Sequence, residues 1–438
     1  MPPLTAEQVI ALAPDAAALK AGRGLAALRH WLGVGHDGRA VWGECRGSAR
    51  LPYRAQVDQN GPAWRCTCPS RKQPCKHVLG LLLLQTSADA AIPTAPSPNW
   101  VSEWLQSRDA RAARAAAESN RQPSAANDAA QEERAEARLA KVAEGVEELQ
   151  RWLEDLLRLG LAAASRQPAR LWEGTAARLV DAQAPGLARL GRDLAIVPFA
   201  GAGWEERMLA ALGRIQLLLD AFQRLDTLPE PVQADVIATI GLSPRQEAVL
   251  AGTPVGDCWQ VLGERTEAEG RLRVRRTWLH GQGSGRDALL LAFWPQHTAA
   301  TAGPQPGTAF QAELCFYPGN WPLRAVVRGA AGAAGPFARI AGHATIGVAL
   351  ETWTRALAHN PWLGQAPLAL AGVVPSRRSD GWFVDDGEGR ALPLAPGFTA
   401  GWRLLALSGG RPIGVFGEWD GRWLLPLGAA TGEEYCRL

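Results

Sequence analysis

Three cysteines and a histidine fall within twelve residues, as Cys66-Thr67-Cys68, six intervening residues, and then Cys75-Lys76-His77. No other stretch limits so tightly how the backbone can run. The spacing C-x-C-x6-C-x-H supplies the four sulfur and nitrogen ligands that close a structural zinc site, with bonds of about 2.3 Å to thiolate and about 2.0 Å to imidazole. Residues i and i+2 of an extended segment face the same way, so Cys66 and Cys68 can aim both sulfurs at one point. Pro69 stops that strand, and Pro74 fixes the backbone before Cys75. The apolar run 78–84 then reads as a buried helix with His77 in its first turn. The expected site clamps a hairpin to a helix and holds one structural Zn²⁺ on Cys66, Cys68, Cys75 and His77. A chance cluster of reduced core cysteines, or a disulfide with a leftover thiol, is the bland alternative. The chain has only 7 Cys, so three of them within ten residues beside a histidine weigh against it.

Short β-type runs precede the ligands at 40–45, 53–57 and 63–65, with a turn at Asn60-Gly61-Pro62. With those strands before the first cysteine pair and an apolar helix after the histidine, residues 50–85 resemble the SWIM zinc finger. Trp42-Gly43-Glu44-Cys45, Asn360-Pro361-Trp362 and the closing 416–421 segment are similar to a bacterial group of SWIM-containing proteins. The resemblance implies binding to DNA or to proteins. In bacteria it implies companionship with a MoxR-type AAA+ ATPase and a von Willebrand A-type protein.

At 438 residues the chain exceeds the size at which single cores stop growing, so several domains are expected. Changes of texture place them. Residues 1–86 form an N-terminal domain with a helix over 5–20 and the finger at about 50–85. Residues 87–131 are rich in Pro, Ser, Ala and Arg and read as a linker, with Trp100, Val101, Trp104 and Leu105 docking one helical turn. Residues 132–255 are helical: Leu139, Val142, Val146, Leu149, Leu153 and Leu156 recur at steps of three and four, and further helices are expected at 168–181, 204–225 and 231–240. The heptad pattern of the first runs for under three repeats, which favours packing within the domain over a coiled-coil seam. Residues 256–438 are mainly antiparallel β, with pairs 258–266/272–280, 309–317/323–327 and 402–407/413–419 and one helix at 348–358. The fold class is α+β and multi-domain: a small ββα finger domain, a helical middle domain and a mainly-β C-terminal domain.

A net charge of +3 is far from the strongly basic balance of a dedicated nucleic-acid binder. The finger is locally basic, with Arg65, Arg71, Lys72 and Lys76 inside or beside the metal loop. Two readings stay open. The cations contact nucleic acid or an acidic partner, or they offset the charge of about −1 that three thiolates leave on one Zn²⁺. The 18 tryptophans are spread from Trp31 to Trp423 without clustering, which favours core filling over stacking platforms. No apolar run approaches the roughly 18 residues needed to cross a bilayer, and no basic leader precedes an apolar core, so a cytoplasmic protein is expected. Cys45, Cys258, Cys315 and Cys436 read as small buried hydrophobes, with Cys45 on a strand close to the metal.

Enzyme signatures are mostly absent: there is no H-E-x-x-H helix, and none of the four lysines lies in a phosphate-binding G-x-x-x-x-G-K-[ST] loop. His280, His297, His343 and His359 read as isolated. A Cys3His shell leaves no open coordination position for catalysis. The sequence thus points to a non-enzymatic zinc-binding interaction module or adaptor. DNA binding through the basic finger surface is the alternative, and an unrecognised active site in the C-terminal domain is the weakest of the three.

Overall fold

The computed structural model describes residues 9–10, 12–46, 51–59, 63–70, 72, 74–87, 92–119, 125–161, 166, 169–270, 272–296 and 303–438, with backbone alone over 111–119 and 125–132. The chain divides into two compact units, Met1–Gln122 with Ala268–Arg273 and Phe293–Ala302, and Pro123–Glu267 with Val274–Ala292 and Gly303–Leu438.

In the first unit, β1 (Trp31–His36), β2 (Ala40–Cys45), β3 (Tyr53–Asp58) and β4 (Ala63–Cys66) form an antiparallel sheet in chain order. The helix expected over 5–20 is interrupted where it is described. Pro14 lacks the amide a continuing helix needs. The chain restarts as α1 (Ala16–Arg23), capped by Asp15, whose Oδ1 accepts from the Ala18 amide at 2.7 Å. Helix α2 (Lys76–Thr86) is apolar nearly all round, and Val78, Leu79, Leu81, Leu82 and Leu84 are at most 2% exposed. An all-apolar helix belongs inside a core. It lies against α1 at two glycines, since a Cβ on Gly22 would sit 2.7 Å from Leu79 Cβ and one on Gly80 would sit 2.7 Å from Leu25 Cβ.

The stretch 87–131, expected as a linker, contains α3 (Asn99–Ser119). Its first turns are held to the sheet: Val101 and Leu105 join Ala40 and Trp42 in a small core. Beside that core the buried Asp58 carboxylate accepts from Arg108 Nε at 3.0 Å and Arg39 Nη2 at 3.5 Å, while Arg39 also grips Asp109. These partners lie 50 and 70 residues apart in sequence, beyond the reach of composition.

The second unit begins with helices α4 (Ala125–Leu159), α5 (Ala169–Asp181), α6 (Pro185–Ile196), α7 (Trp204–Gln223), α8 (Glu230–Ile240) and the short α9 (Gln246–Leu250). The α4 stripe packs inside the unit, where Val142, Val146, Leu149, Leu153 and Leu156 meet Trp172, Leu187, Met208 and Leu218. Helix α6 was not expected; Pro185 opens it at a first-turn position, where a missing amide costs nothing.

Two six-stranded sheets follow. Strands β5 (Val255–Glu269), β6 (Leu272–Gly281), β7 (Asp287–Pro295), β8 (Thr308–Phe316), β9 (Arg324–Arg328) and β10 (Gly335–Pro336) have the order β10-β8-β5-β6-β7-β9. An added β8–β9 pairing closes five of them into a ring, with β7 and β9 parallel. The other sheet, from β11 (Ala366–Arg378), β12 (Gly381–Asp385), β13 (Ala391–Pro393), β14 (Ile413–Trp419), β15 (Leu424–Ala430) and β16 (Tyr435–Arg437), has the order β13-β12-β11-β14-β15-β16. Helix α10 (Ile346–His359) matches the helix expected there and packs on β11. Residues 402–407, expected as a strand paired with 413–419, are instead helix α11 (Gly401–Ser408). It buries Gly401, Leu404 and Ser408 and ends at Gly409 with φ +55°. The i, i+3, i+7 spacing and the left-handed C-cap mark a helix, and β14 pairs with β11 and β15.

Tryptophan serves the core here: Trp259 and Trp278 are fully buried. Trp278 belongs to a charged cluster joining the two sheets. Glu418 of β14, 2% exposed, accepts from Arg265 Nη1 at 2.6 Å, Arg276 Nε at 3.0 Å and Trp278 Nε1 at 2.8 Å. Glu418→Ala strands the Arg276 guanidinium and the Trp278 indole N–H and leaves Arg265 with Glu267 alone, and should cost about 3 kcal/mol in urea unfolding followed by tryptophan fluorescence. An unchanged midpoint would show that the two sheets do not depend on this carboxylate.

Candidate metal centre

Cys66 ends β4, opposite Ala55 of β3. One more rung follows: the Thr67 amide donates to Arg54 O at 3.1 Å, and the Arg54 amide donates to Thr67 Oγ1 at 2.9 Å. This holds the chain alongside β3 past Cys66, so that Cys68 returns to the same side. Cys75 is the N-cap residue of α2 in an extended conformation, with φ −74° and ψ 168°, and His77 lies in the first turn.

The ligand atoms of Cys66, Cys68, Cys75 and His77 all lie within 4.8 Å of one another. His77 Nδ1 is the nitrogen that faces the sulfurs, 3.8 Å from Cys66 Sγ and 3.9 Å from Cys75 Sγ. A tetrahedron built on zinc–thiolate and zinc–imidazole bonds has S···N edges of about 3.6 Å. The cluster is compatible with one zinc ion. Cys75 is fully buried and His77 is 3% exposed, while Cys66 and Cys68 are half-buried. Tyr53 backs the imidazole with ring centroids 4.9 Å apart and orients it.

The thiols are electrostatically crowded. The Cys66 and Cys75 thiols turned toward Cys68 hold it far below the usual thiol range as the favoured thiolate. The same contact with Cys68, then Cys75 and burial, pushes Cys66 up. Cys75 is lowered by Cys66 but raised by more through Cys68 and burial, so its net shift is upward. Their mutual contacts thus favour the thiolate on Cys68 over Cys66 and Cys75, and a divalent cation would supply the charge that lets all three ionise. Amides help: those of Ser70 and Val78 donate to Cys68 and Cys75. Cys45 stands outside the cluster; its thiol is 3.5 Å from Arg46 O, and burial pushes its pKa up.

The basic residues have unequal roles. Lys72 Nζ is 2.7 Å from Asp15 Oδ2, and Lys72 is the main reason the Asp15 carboxyl lies below its usual range. Arg65 and Lys76 are exposed, and Arg71 lies outside the described residues. Arg54, one strand away, pairs with Glu44 at 2.9 Å and lies over Trp100. Sequence reasoning missed Tyr53 and Asp15. Tyr53 sits thirteen residues before the first ligand, and its only signal is an aromatic at the start of a strand. Asp15 follows Pro14 in a helix-cap position, a signal that was available.

Away from the cluster, His280 is not isolated. Its Nδ1 lies 2.8 Å from Asp287 Oδ1 across the β6–β7 hairpin. Burial lowers His343, and His359 Nδ1 donates to Arg355 O at 2.8 Å. His297 lies outside the described residues. Cys315 is buried, as expected, whereas Cys258 and Cys436 are only partly so. No helix among the described residues is long and apolar enough to cross a membrane.

Residues 55–85 match the family model of the SWIM zinc finger, and residues 137–240 match that of the SWIM-associated four-helix bundle domain. The first match contains all four ligands; the second runs from α4 to the end of α8. No curated protein and no solved structure matches the chain.

Elemental analysis of the purified protein should find about one zinc per chain. Cys66→Ser with Cys68→Ser should bring this near zero, and Cys45→Ser should leave it unchanged. Full zinc in the double variant, or loss in Cys45→Ser, would mean that the ligand set is wrong.

Proposed function

We propose that the chain is a non-enzymatic interaction module, an adaptor whose zinc holds the finger in shape while the finger and the domains behind it bind a protein partner. The observation that carries this reading is the closed shell. Four ligands from the chain, two of them buried, satisfy a tetrahedral ion and leave no position for substrate or water. A metal so held supports shape rather than chemistry. The SWIM match adds to this, since the resemblance implies binding.

The charges near the finger support a protein partner over DNA. Affinity for DNA comes mostly from cations that neutralise phosphates. Here Lys72 is engaged by Asp15 and Arg54 by Glu44. The finger's remaining described cations are Arg65 and Lys76, so half of its described positive charge is already engaged within the protein. The partner classes we propose are those the resemblance implies, a MoxR-type AAA+ ATPase and a von Willebrand A-type protein.

Titrations of labelled duplex and single-stranded DNA at two salt concentrations test the choice, alongside direct binding to the purified ATPase and von Willebrand A-type protein. The expected result is protein binding, with DNA no tighter than the roughly 10⁻⁴–10⁻⁶ M of non-specific contacts at physiological salt. Tight DNA binding, lost in Arg65→Ala/Arg71→Ala/Lys76→Ala with zinc content intact, would replace the adaptor by a DNA-binding module.

A further inference from the structure

The second unit contains a cavity of about 1460 Å³ between its helices and its β strands. Pockets for single small ligands span roughly 300–1,000 Å³, so this one has room for several residues of extended chain. Seven arginines and four acidic residues line it. The balance is more one-sided than the count, because Asp235 and Glu267 are committed. Asp235, 6% exposed, accepts from the Asn320 amide at 2.9 Å and from the Asn360 side chain. Glu267 is paired with Arg265.

Of the arginines, Arg276 is held by Glu418. Arg138, Arg189, Arg214, Arg245 and Arg324 form no ion pair with a carboxylate among the described residues, although they line one space. Arg324 is already set in place: its Nη1 donates to Ser243 Oγ at 3.1 Å, and its guanidinium lies 4.0 Å from the Tyr317 ring centroid. The walls are also fixed. Asp235 ties down two loops of similar sequence, Asn320-Trp321-Pro322 and Asn360-Pro361-Trp362, and Trp362 Nε1 donates to Arg214 O at 3.2 Å.

We infer that this cavity is a second docking site, and that its occupant is an acidic peptide segment of a protein partner whose carboxylates meet Arg189, Arg214, Arg245 and Arg324. Single-stranded nucleic acid is the competing polyanion, and it needs free aromatic faces for its bases. Those faces are taken: Trp278 is fully buried, Arg324 covers Tyr317, Trp321 packs against His359 with centroids 5.6 Å apart, and Trp362 packs against the helical core. What remains is guanidinium, whose planar fork matches carboxylate two bonds at a time. The site does not use the finger, so it stands or falls apart from the adaptor reading.

The test uses the full-length zinc-loaded chain and a fluorescein-labelled octapeptide of alternating Glu and Leu. Its Gln/Leu counterpart and a labelled eight-nucleotide oligo-dT are measured in parallel by fluorescence anisotropy. Arg189 and Arg245 are exposed, so Arg189→Glu/Arg245→Glu should fold normally, checked by circular dichroism and thermal unfolding. The Glu peptide should bind, the Gln peptide should not, and the double reversal should weaken binding about tenfold or more. Cys66→Ser/Cys68→Ser should leave peptide affinity unchanged, which places the site outside the finger. The inference is overturned by absence of Glu-peptide binding, by equal binding of the Gln peptide, or by binding that survives the reversal. It is equally overturned by loss of binding in the finger variant, or by oligo-dT that binds more tightly and is lost with the same reversal.

Discussion

The hairpin and the helix of the finger meet at three thiols and an imidazole whose ligand atoms all lie within 4.8 Å of one another. Packed as they are, Cys66, Cys68 and Cys75 hold each other to a single favoured thiolate. A divalent ion removes that limit and gains three strong bonds at once. The ligands come from the end of β4, the loop beyond it and the N-terminus of α2, so one ion fixes how the sheet meets the helix. That helix carries the leucines of the core, and its glycine lets α1 approach. An ion held there ties the sheet to the helix that supplies the core's leucines.

The second unit solves a related problem without metal. Two sheets must be joined across a buried charge, and Glu418 does so by accepting from two arginines and an indole. A lone buried carboxylate would be expensive, and two guanidinium groups without it would be worse. The arrangement is specific because Arg265 and Arg276 sit on adjacent strands of one sheet while Glu418 sits on the other.

The metal ligands were legible in the sequence because their spacing is local: strand period, proline stop and helix start all lie within twelve residues. The long periodic stripe of α4 was legible for the same reason. What escaped was set by distant partners or by short ambiguous runs. The start of α3 is held to the sheet by Asp58 and Arg39, and no window of sequence contains both sides of those pairs. Residues 402–407 are an apolar run too short to distinguish strand from helix, and packing on β11 settles it. The β8–β9 pairing that closes the ring, and the pairing of His280 with Asp287 across a hairpin, depend on register that hydropathy does not encode.

The two units also differ in what their charges leave free. In the first unit several of the described cations are engaged within the protein: Lys72 steadies the α1 cap, Arg54 is paired, and Arg39 and Arg108 serve Asp58. In the second unit Arg138, Arg189, Arg214, Arg245 and Arg324 line the cavity and form no ion pair with a carboxylate among the described residues, and guanidinium groups gathered in one space repel one another. A ligand carrying the opposite charge would relieve that repulsion on binding. The finger and the cavity thus need not answer to the same partner.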